Sequence, residues 1–322
     1  MKIQVLLSSY NGEKYIREQI DTILDQDITE SAELELLVRD DGSTDSTHDI
    51  LDEYKRAGSL KWYTGDNLRT ARSFWNLLNE AGEADYYAFA DQDDHWFGDK
   101  LSRAVRRLED EKKRLAERKT NRKPNSGEIP LLYFSTVVTT DEGLNPIDVG
   151  VSKLNRYTDF YHSLIYSTTQ GCTFVFNREA RDIMLKYHMG QDCREMHDWL
   201  AHKIVAMFGK VILDTEPSMY YRQHSGNVIG AKRLDGFGGV ISRLKGFMSG
   251  GSIHVRSSNA RGLYKTYAEL IKDEPHKYKA LRQLAYYRKD RRLKAQLIRN
   301  KAFRVGGIND LFFLTLVILK LL

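Results

Sequence analysis

Short apolar runs punctuate the first third of the chain at Ile3 to Leu7, Leu34 to Val38, Leu60 to Tyr63 and Tyr86 to Ala90. Each is short enough for a buried strand and too short for a helix. Between them the period changes. Glu13 to Leu24 places Ile16, Ile20, Ile23 and Leu24 on one helical face, Ser46 to Tyr54 opens on capping-type residues, and Ser73 to Ala81 reads as a third helix. Strands alternating with helices in this rhythm predict an α/β fold of right-handed βαβ units with a mainly parallel sheet. Further on, the pattern predicts a charged helix from Asp99 to about Lys119 and a polar surface loop from Thr120 to Pro130. Strands are expected at Leu131 to Val138, Cys172 to Phe176 and Val211 to Leu213, and helices at Arg178 to Tyr187 and Asp198 to Phe208. A glycine-rich stretch from Gly226 to Gly251 marks a change of domain, so the division expected is 1–230 and 231–322, the latter mostly basic helices from about Asn259 to Phe303.

The 322 residues, 41% hydrophobic and 29% charged, describe a soluble globular protein. The net charge of +5 hides an asymmetry: residues 232–322 hold 20 Lys and Arg against 6 Asp and Glu, net +14, which leaves net −9 for 1–231. An acidic body with a basic tail implies that the tail faces an anionic partner. Cys172 and Cys193 show no metal-ligand spacing. The chain opens Met1-Lys2-Ile3-Gln4-Val5, straight into a strand and without a signal peptide, so a reducing cytoplasm is expected.

Acid is concentrated just after two of the apolar runs, as Asp40-Asp41-Gly42-Ser43-Thr44-Asp45 and as Asp91-Gln92-Asp93-Asp94. Carboxylates massed at strand ends repel one another unless a cation or a donor-rich ligand sits among them. The carboxyl edge of an open α/β sheet is also where ligands bind. Asp91 and Asp93, two residues apart on an extended segment, share a face and can approach one hard cation, Mn²⁺ or Mg²⁺. Asp40 and Asp41 precede the turn and can accept a base imide N–H or ribose hydroxyls, whereas Ser43 to Ser46 read as turn and cap. Asp198 reads either as a helix N-cap or as a general base. His224 can complete a metal site or touch phosphate, or be a plain loop histidine, and Arg222 suits bidentate phosphate binding. In Gln170-Gly171-Cys172-Thr173 the glycine marks either close approach of an acceptor sugar or a simple bulge.

Taken in order, Ser8-Ser9-Tyr10-Asn11-Gly12, the Asp40 cluster, Asp91-Gln92-Asp93, Met196-His197-Asp198-Trp199 and Tyr221-Arg222-Gln223-His224 resemble glycosyltransferase family 2, which has the GT-A fold. The resemblance spans about 3–230. Within the family, Asp-Gln-Asp-Asp-x-Trp, His-Asp-Trp and Tyr-Arg-Gln-His look most like bacterial rhamnosyltransferases of cell-wall and capsular polysaccharide assembly, which use dTDP-L-rhamnose. It implies that Ser9, Tyr10, Asn11, Asp40 and Asp41 lie near the nucleotide and that Asp91 faces ribose or metal. Asp93 would ligate the metal with His224 nearby, Asp198 would be the base, and Arg222, Gln170, Gly171 and Trp199 would serve diphosphate and acceptor. The partners so implied are a nucleotide-diphospho-sugar donor and a polyprenyl-linked glycan acceptor. The family often has Asn-Leu-Gly where this chain has Asn67-Leu68-Arg69. A UDP-hexose donor and a non-catalytic sugar-nucleotide or glycan-binding module are the alternatives.

The tail shows none of the standard nucleic-acid motifs, so no nucleic-acid partner is expected. Its basic helices lead into the apolar stretch Leu311 to Leu322, about 18 Å long as a helix and short of the roughly 30 Å of a bilayer core. A solvated helical face or an oligomer contact is the plain reading; the expectation is peripheral docking on an anionic membrane, at the inner face of the cell membrane. Homodimerisation is left open by the sequence.

Overall fold

In the computed structural model the described residues are 1–29, 31–119, 129–149, 158–166, 169–190, 193, 195–224 and 253–322. Contacts divide the chain into two units. The first holds Met1–Arg156, Thr168–Leu185 and Met196–Val228, and the second Tyr157–Ser167, Lys186–Glu195 and Ile229–Leu322. The second unit thus draws in two earlier segments that the division at 230 assigned to the first.

The first unit is built on β1 (Lys2–Ser9), β2 (Glu33–Asp40), β3 (Lys61–Thr64) and β4 (Tyr86–Asp91), with α1 (Ile16–Leu24), α2 (Thr47–Arg56) and α3 (Arg69–Glu80) between them. These strands pair in parallel in the order β3-β2-β1-β4. Val5, Leu6 and Leu7 of β1 and Ala88, Phe89 and Ala90 of β4 are fully buried, as strands covered on both faces require. Ile16, Ile20 and Ile23 of α1 join that core, while Leu24 is 37% exposed.

Beyond β4 the sheet is mixed rather than mainly parallel. β5 (His95–Trp96), α4 (Lys100–Lys119), β6 (Leu131–Thr140), β7 (Pro146–Val149), β8 (Val175–Asn177), α6 (Arg178–Met184), α7 (His197–Phe208) and β9 (Lys210–Arg222) complete the unit. β8 lies antiparallel between β4 and β6, and β9 runs parallel to β6. A 3-10 turn, Gly171–Thr173, replaces the first half of the strand expected from Cys172. The register sets Ser9 beside Asp40 and Ser8 beside Asp91, so the carboxyl ends of β1, β2 and β4 share one edge.

The second unit contains α5 (Phe160–Ser163), α8 (Val255–Tyr267), α9 (Pro275–Tyr286), α10 (Arg291–Arg299) and α11 (Ile308–Ile318). Leu263, Tyr267, Leu284, Tyr287, Leu297, Phe303, Phe313 and Val317 form its interior. No described helix is long and apolar enough to cross a membrane. The expected anchor from Leu311 to Leu322 is only partly outward: Phe313, Leu316, Val317 and Leu322 are buried, whereas Leu311, Ile318 and Leu319 are 55–56% exposed. The glycine-rich stretch Gly226 to Gly251 lies outside the described residues, as does the polar segment after Thr120 except for Ile129 and Pro130.

Candidate active site

The loops after β1 and β2 are sewn together. Asn11 N–H donates to Ser43 Oγ (2.8 Å), Gly12 N–H to Thr47 Oγ1 (2.8 Å) and Glu13 N–H to Asp45 Oδ2 (3.0 Å). Return bonds run from Thr44 N–H to Asn11 Oδ1 (2.9 Å) and from Ser46 N–H to Glu13 Oε2 (2.9 Å). Gln92 grips Tyr10 from the third loop, accepting its N–H at 2.8 Å and donating to its carbonyl at 3.0 Å. The Tyr10 side chain is 47% exposed.

Asp40 and Asp41 serve this framework. Asp40 is fully buried and accepts hydrogen bonds from Gly42 N–H, Ser43 N–H, the Ser43, Ser9 and Thr64 hydroxyls and His48 Nε2. Burial pushes its carboxyl upward, but the bonds from Ser43 and His48 outweigh that and hold it below the usual range. Asp41 accepts from Leu68 N–H (2.8 Å) and Arg69 N–H (2.9 Å) and is paired with buried Arg39. Protein donors thus meet the oxygens of both carboxylates, which were expected near a base or ribose, and through those bonds they tie the loops together.

Asp91, at the end of β4, keeps some exposure, yet its carboxyl is enclosed. Burial, then the charges of Asp93 and Asp198, push it up to about 7 against the pull of Lys100. Asp94 is 1% exposed, and neither of its oxygens accepts a hydrogen bond among the described residues. Burial and the charges of Asp93 and Asp91 raise its carboxyl well above the ordinary range. Asp91, Asp94 and Cys172 each offer a ligand atom within 4.8 Å of the others. Two enclosed carboxylates, one of them unbonded, suit a hard divalent cation; a thiol does not. Asp93 faces His224, with Oδ2 2.7 Å from Nε2. The expected trio Asp91, Asp93 and His224 does not gather as closely as Asp91, Asp94 and Cys172 do.

Residues 4–161 match the glycosyl transferase family 2 profile. The chain carries a family 2 glycosyltransferase domain. It is 26% identical over 242 residues to dTDP-rhamnosyl transferase RfbG of Shigella flexneri, covering 70% of this chain and 74% of that one. It is 26% identical over 110 residues to the Escherichia coli UDP-Glc:alpha-D-GlcNAc-diphosphoundecaprenol beta-1,3-glucosyltransferase WfaP, covering 34% and 42%. Among solved structures, residues 1–349 of S. aureus TarS in complex with UDP-GlcNAc superpose with a TM-score of 0.55 at 16% identity, covering 99% of this chain and 88% of that one. The fold is GT-A-like.

Within this glycosyltransferase, Asp198 is not an N-cap. α7 begins one residue earlier, at His197, after Met196. Asp198 is 8% exposed; its Oδ1 accepts Trp199 N–H (2.8 Å) and its Oδ2 accepts Gly171 N–H (3.2 Å). A Cβ at Gly171 would lie 2.5 Å from His197 Nε2 and 3.0 Å from Asp198 Cβ, so glycine is required by close packing. His197 is stacked on Phe74 at 4.0 Å, and burial drives its imidazole down to about 3. Gln170 and Trp199 flank this turn and helix, each half-buried. Arg222, expected near the diphosphate, sits beside the acidic loop. It is 3% exposed and donates to the Asp93 carbonyl (2.9 Å), the Glu142 carbonyl and Glu18 Oε2 (2.9 Å), so it braces the acidic loop.

The sequence reading missed Lys100, which is fully buried over the Trp96 ring (4.2 Å) and is drawn down to about 8 by burial, against the acidic neighbours Asp94 and Asp91. A signal was available: Lys100, Ala104 and Leu108 fall on one helical face, and all three are buried.

Proposed function

We propose that this glycosyltransferase is an inverting, metal-dependent enzyme that transfers L-rhamnose from dTDP-L-rhamnose to a hydroxyl of a polyprenyl-linked glycan in bacterial cell-wall or capsular polysaccharide synthesis. The reading is supported by the Gly171–Thr173 turn: Gly171 N–H, with Trp199 N–H, holds the Asp198 carboxylate, and the next residue, Cys172, has its thiol within 4.8 Å of ligand atoms of Asp91 and Asp94. Those donors and the positive end of α7 favour the ionised form that a base needs. Asp198 takes the proton of the acceptor hydroxyl as its oxygen attacks the anomeric carbon opposite the leaving diphosphate, which inverts the centre in one step. Asp91 would hold the cation with the enclosed Asp94 carboxylate beside it and with Asp93, the ligand that the family resemblance implies, whose Oδ2 lies 2.7 Å from His224 Nε2. When bound, such an ion neutralises charge on the departing diphosphate.

The donor sugar rests on the likeness to RfbG. A UDP-hexose is the second reading, favoured by the likeness to WfaP. The basic tail and the exposed Leu311, Ile318 and Leu319 support docking of the second unit on an anionic membrane, which suits a lipid-linked acceptor. The test is a panel of dTDP-L-rhamnose, UDP-glucose and GDP-mannose with a soluble acceptor mimic, run alongside Asp198→Asn. The variant should still bind donor while kcat falls about 10²–10⁴-fold. Near-normal kcat would refute the choice of base, and preference for UDP-glucose would remove the rhamnosyl assignment.

A further inference from the structure

Lys100 occupies an expensive position. It is a buried ammonium in the first turn of α4, where the helix dipole disfavours a cation, and a methionine would fill such a site at less cost. Its contacts show what the charge does there. Nζ donates to the Cys172 carbonyl at 2.6 Å and to Met219 Sδ at 3.4 Å, and it lies over the Trp96 ring. Cys172 is the middle residue of the Gly171–Thr173 turn, whose first N–H holds Asp198 Oδ2 at 3.2 Å. That turn has no slack, because the space above Gly171 is filled by His197 Nε2 and Asp198 Cβ.

We propose that Lys100 is a positioning residue for Asp198: by fixing the Cys172 carbonyl it seats the Gly171–Thr173 turn and so aims the Asp198 carboxylate. The inference rests on the proposed role of Asp198 as base. The same ammonium pulls the Asp91 and Asp94 carboxyls down, so one side chain acts on both the acidic motif and the turn that holds Asp198. A thioether of similar length has no proton to give that carbonyl, whereas an ammonium gives it a charge-assisted bond.

The experiment is a double-mutant cycle on the full chain with Lys100→Met, Asp198→Asn and the pair, joined to amide hydrogen exchange. Lys100→Met should lower kcat about tenfold with donor KM within about twofold, while in the Asp198→Asn background it should cost almost nothing further. Amides of Gly171 to Phe174 should exchange about tenfold faster in Lys100→Met, and those of β1 should not change. Additive losses in the cycle, or unaltered exchange at the turn, would overturn the proposal. Should Lys100→Met fail to fold, Gly171→Ala disturbs the same turn from its other end and must show the same non-additivity with Asp198→Asn. Wild-type protein inert toward every donor would refute the transferase reading itself, and the exchange measurement would still decide whether Lys100 seats the turn.

Discussion

Asp40 offers the sharpest separation between building the loops and touching a ligand. Its Oδ1 accepts Gly42 N–H (3.1 Å), Ser43 N–H (2.8 Å), His48 Nε2 (2.7 Å) and the Thr64 hydroxyl (3.2 Å), and Oδ2 takes the Ser43 and Ser9 hydroxyls. In Asp40→Asn the amide oxygen can replace Oδ1, and the NH₂ group then meets hydroxyls that can rotate to accept. The loss is the charge assistance, about 1–2 kcal/mol. Asp40→Ala instead strands two N–H groups and should cost about 3 kcal/mol or more. Urea denaturation of the three proteins at pH 7, beside calorimetric titration with dTDP, reads both quantities. The sign with pH follows from the lowered carboxyl. The stabilisation is complete above the unfolded value of about 4 and drains away as pH falls through the lower folded value, so wild type and Asp40→Asn should converge in acid. Unchanged stability in Asp40→Asn, together with a large loss of dTDP affinity, would refute the loop-building role and restore base recognition.

Asp93→Asn should weaken Mn²⁺-dependent nucleotide binding about tenfold or more, because a ligand charge is lost; normal donor turnover at limiting Mn²⁺ would contradict this. Arg69 sits at φ 63°, where the family often has glycine. Arg69→Gly should raise the unfolding free energy measured in urea by about 1 kcal/mol of relieved strain, and a lower value would show that the strain is illusory. Leu311→Glu with Ile318→Glu should reduce co-sedimentation with anionic liposomes, high salt should weaken it in the unaltered chain, and equal binding to neutral vesicles would refute the electrostatic part.

The strands at Ile3, Leu34 and Tyr86 were legible because a buried parallel strand writes a continuous apolar run, and the acid after two of those runs marked the functional edge. β5 escaped because two residues carry no period. Asp40 and Arg222 were legible as residues but not as partners, since a motif does not reveal whether a side chain turns inward. At Leu311 to Leu322 apolarity alone cannot tell a core face from a lipid face. There the fold buries Phe313 and Val317 and leaves Leu311 and Ile318 exposed.

The crossed bonds between Asn11 to Glu13 and Ser43 to Thr47 have a thermodynamic consequence. A rim assembled by reciprocal bonds has already surrendered its conformational freedom during folding. A nucleotide binding where the resemblance expects it, against Tyr10, would not need to organise those segments, so little of its intrinsic affinity would be diverted into ordering them. Discrimination among nucleotides would then fall to fixed shape and to the exposed Tyr10 ring, not to loops that mould themselves around each guest.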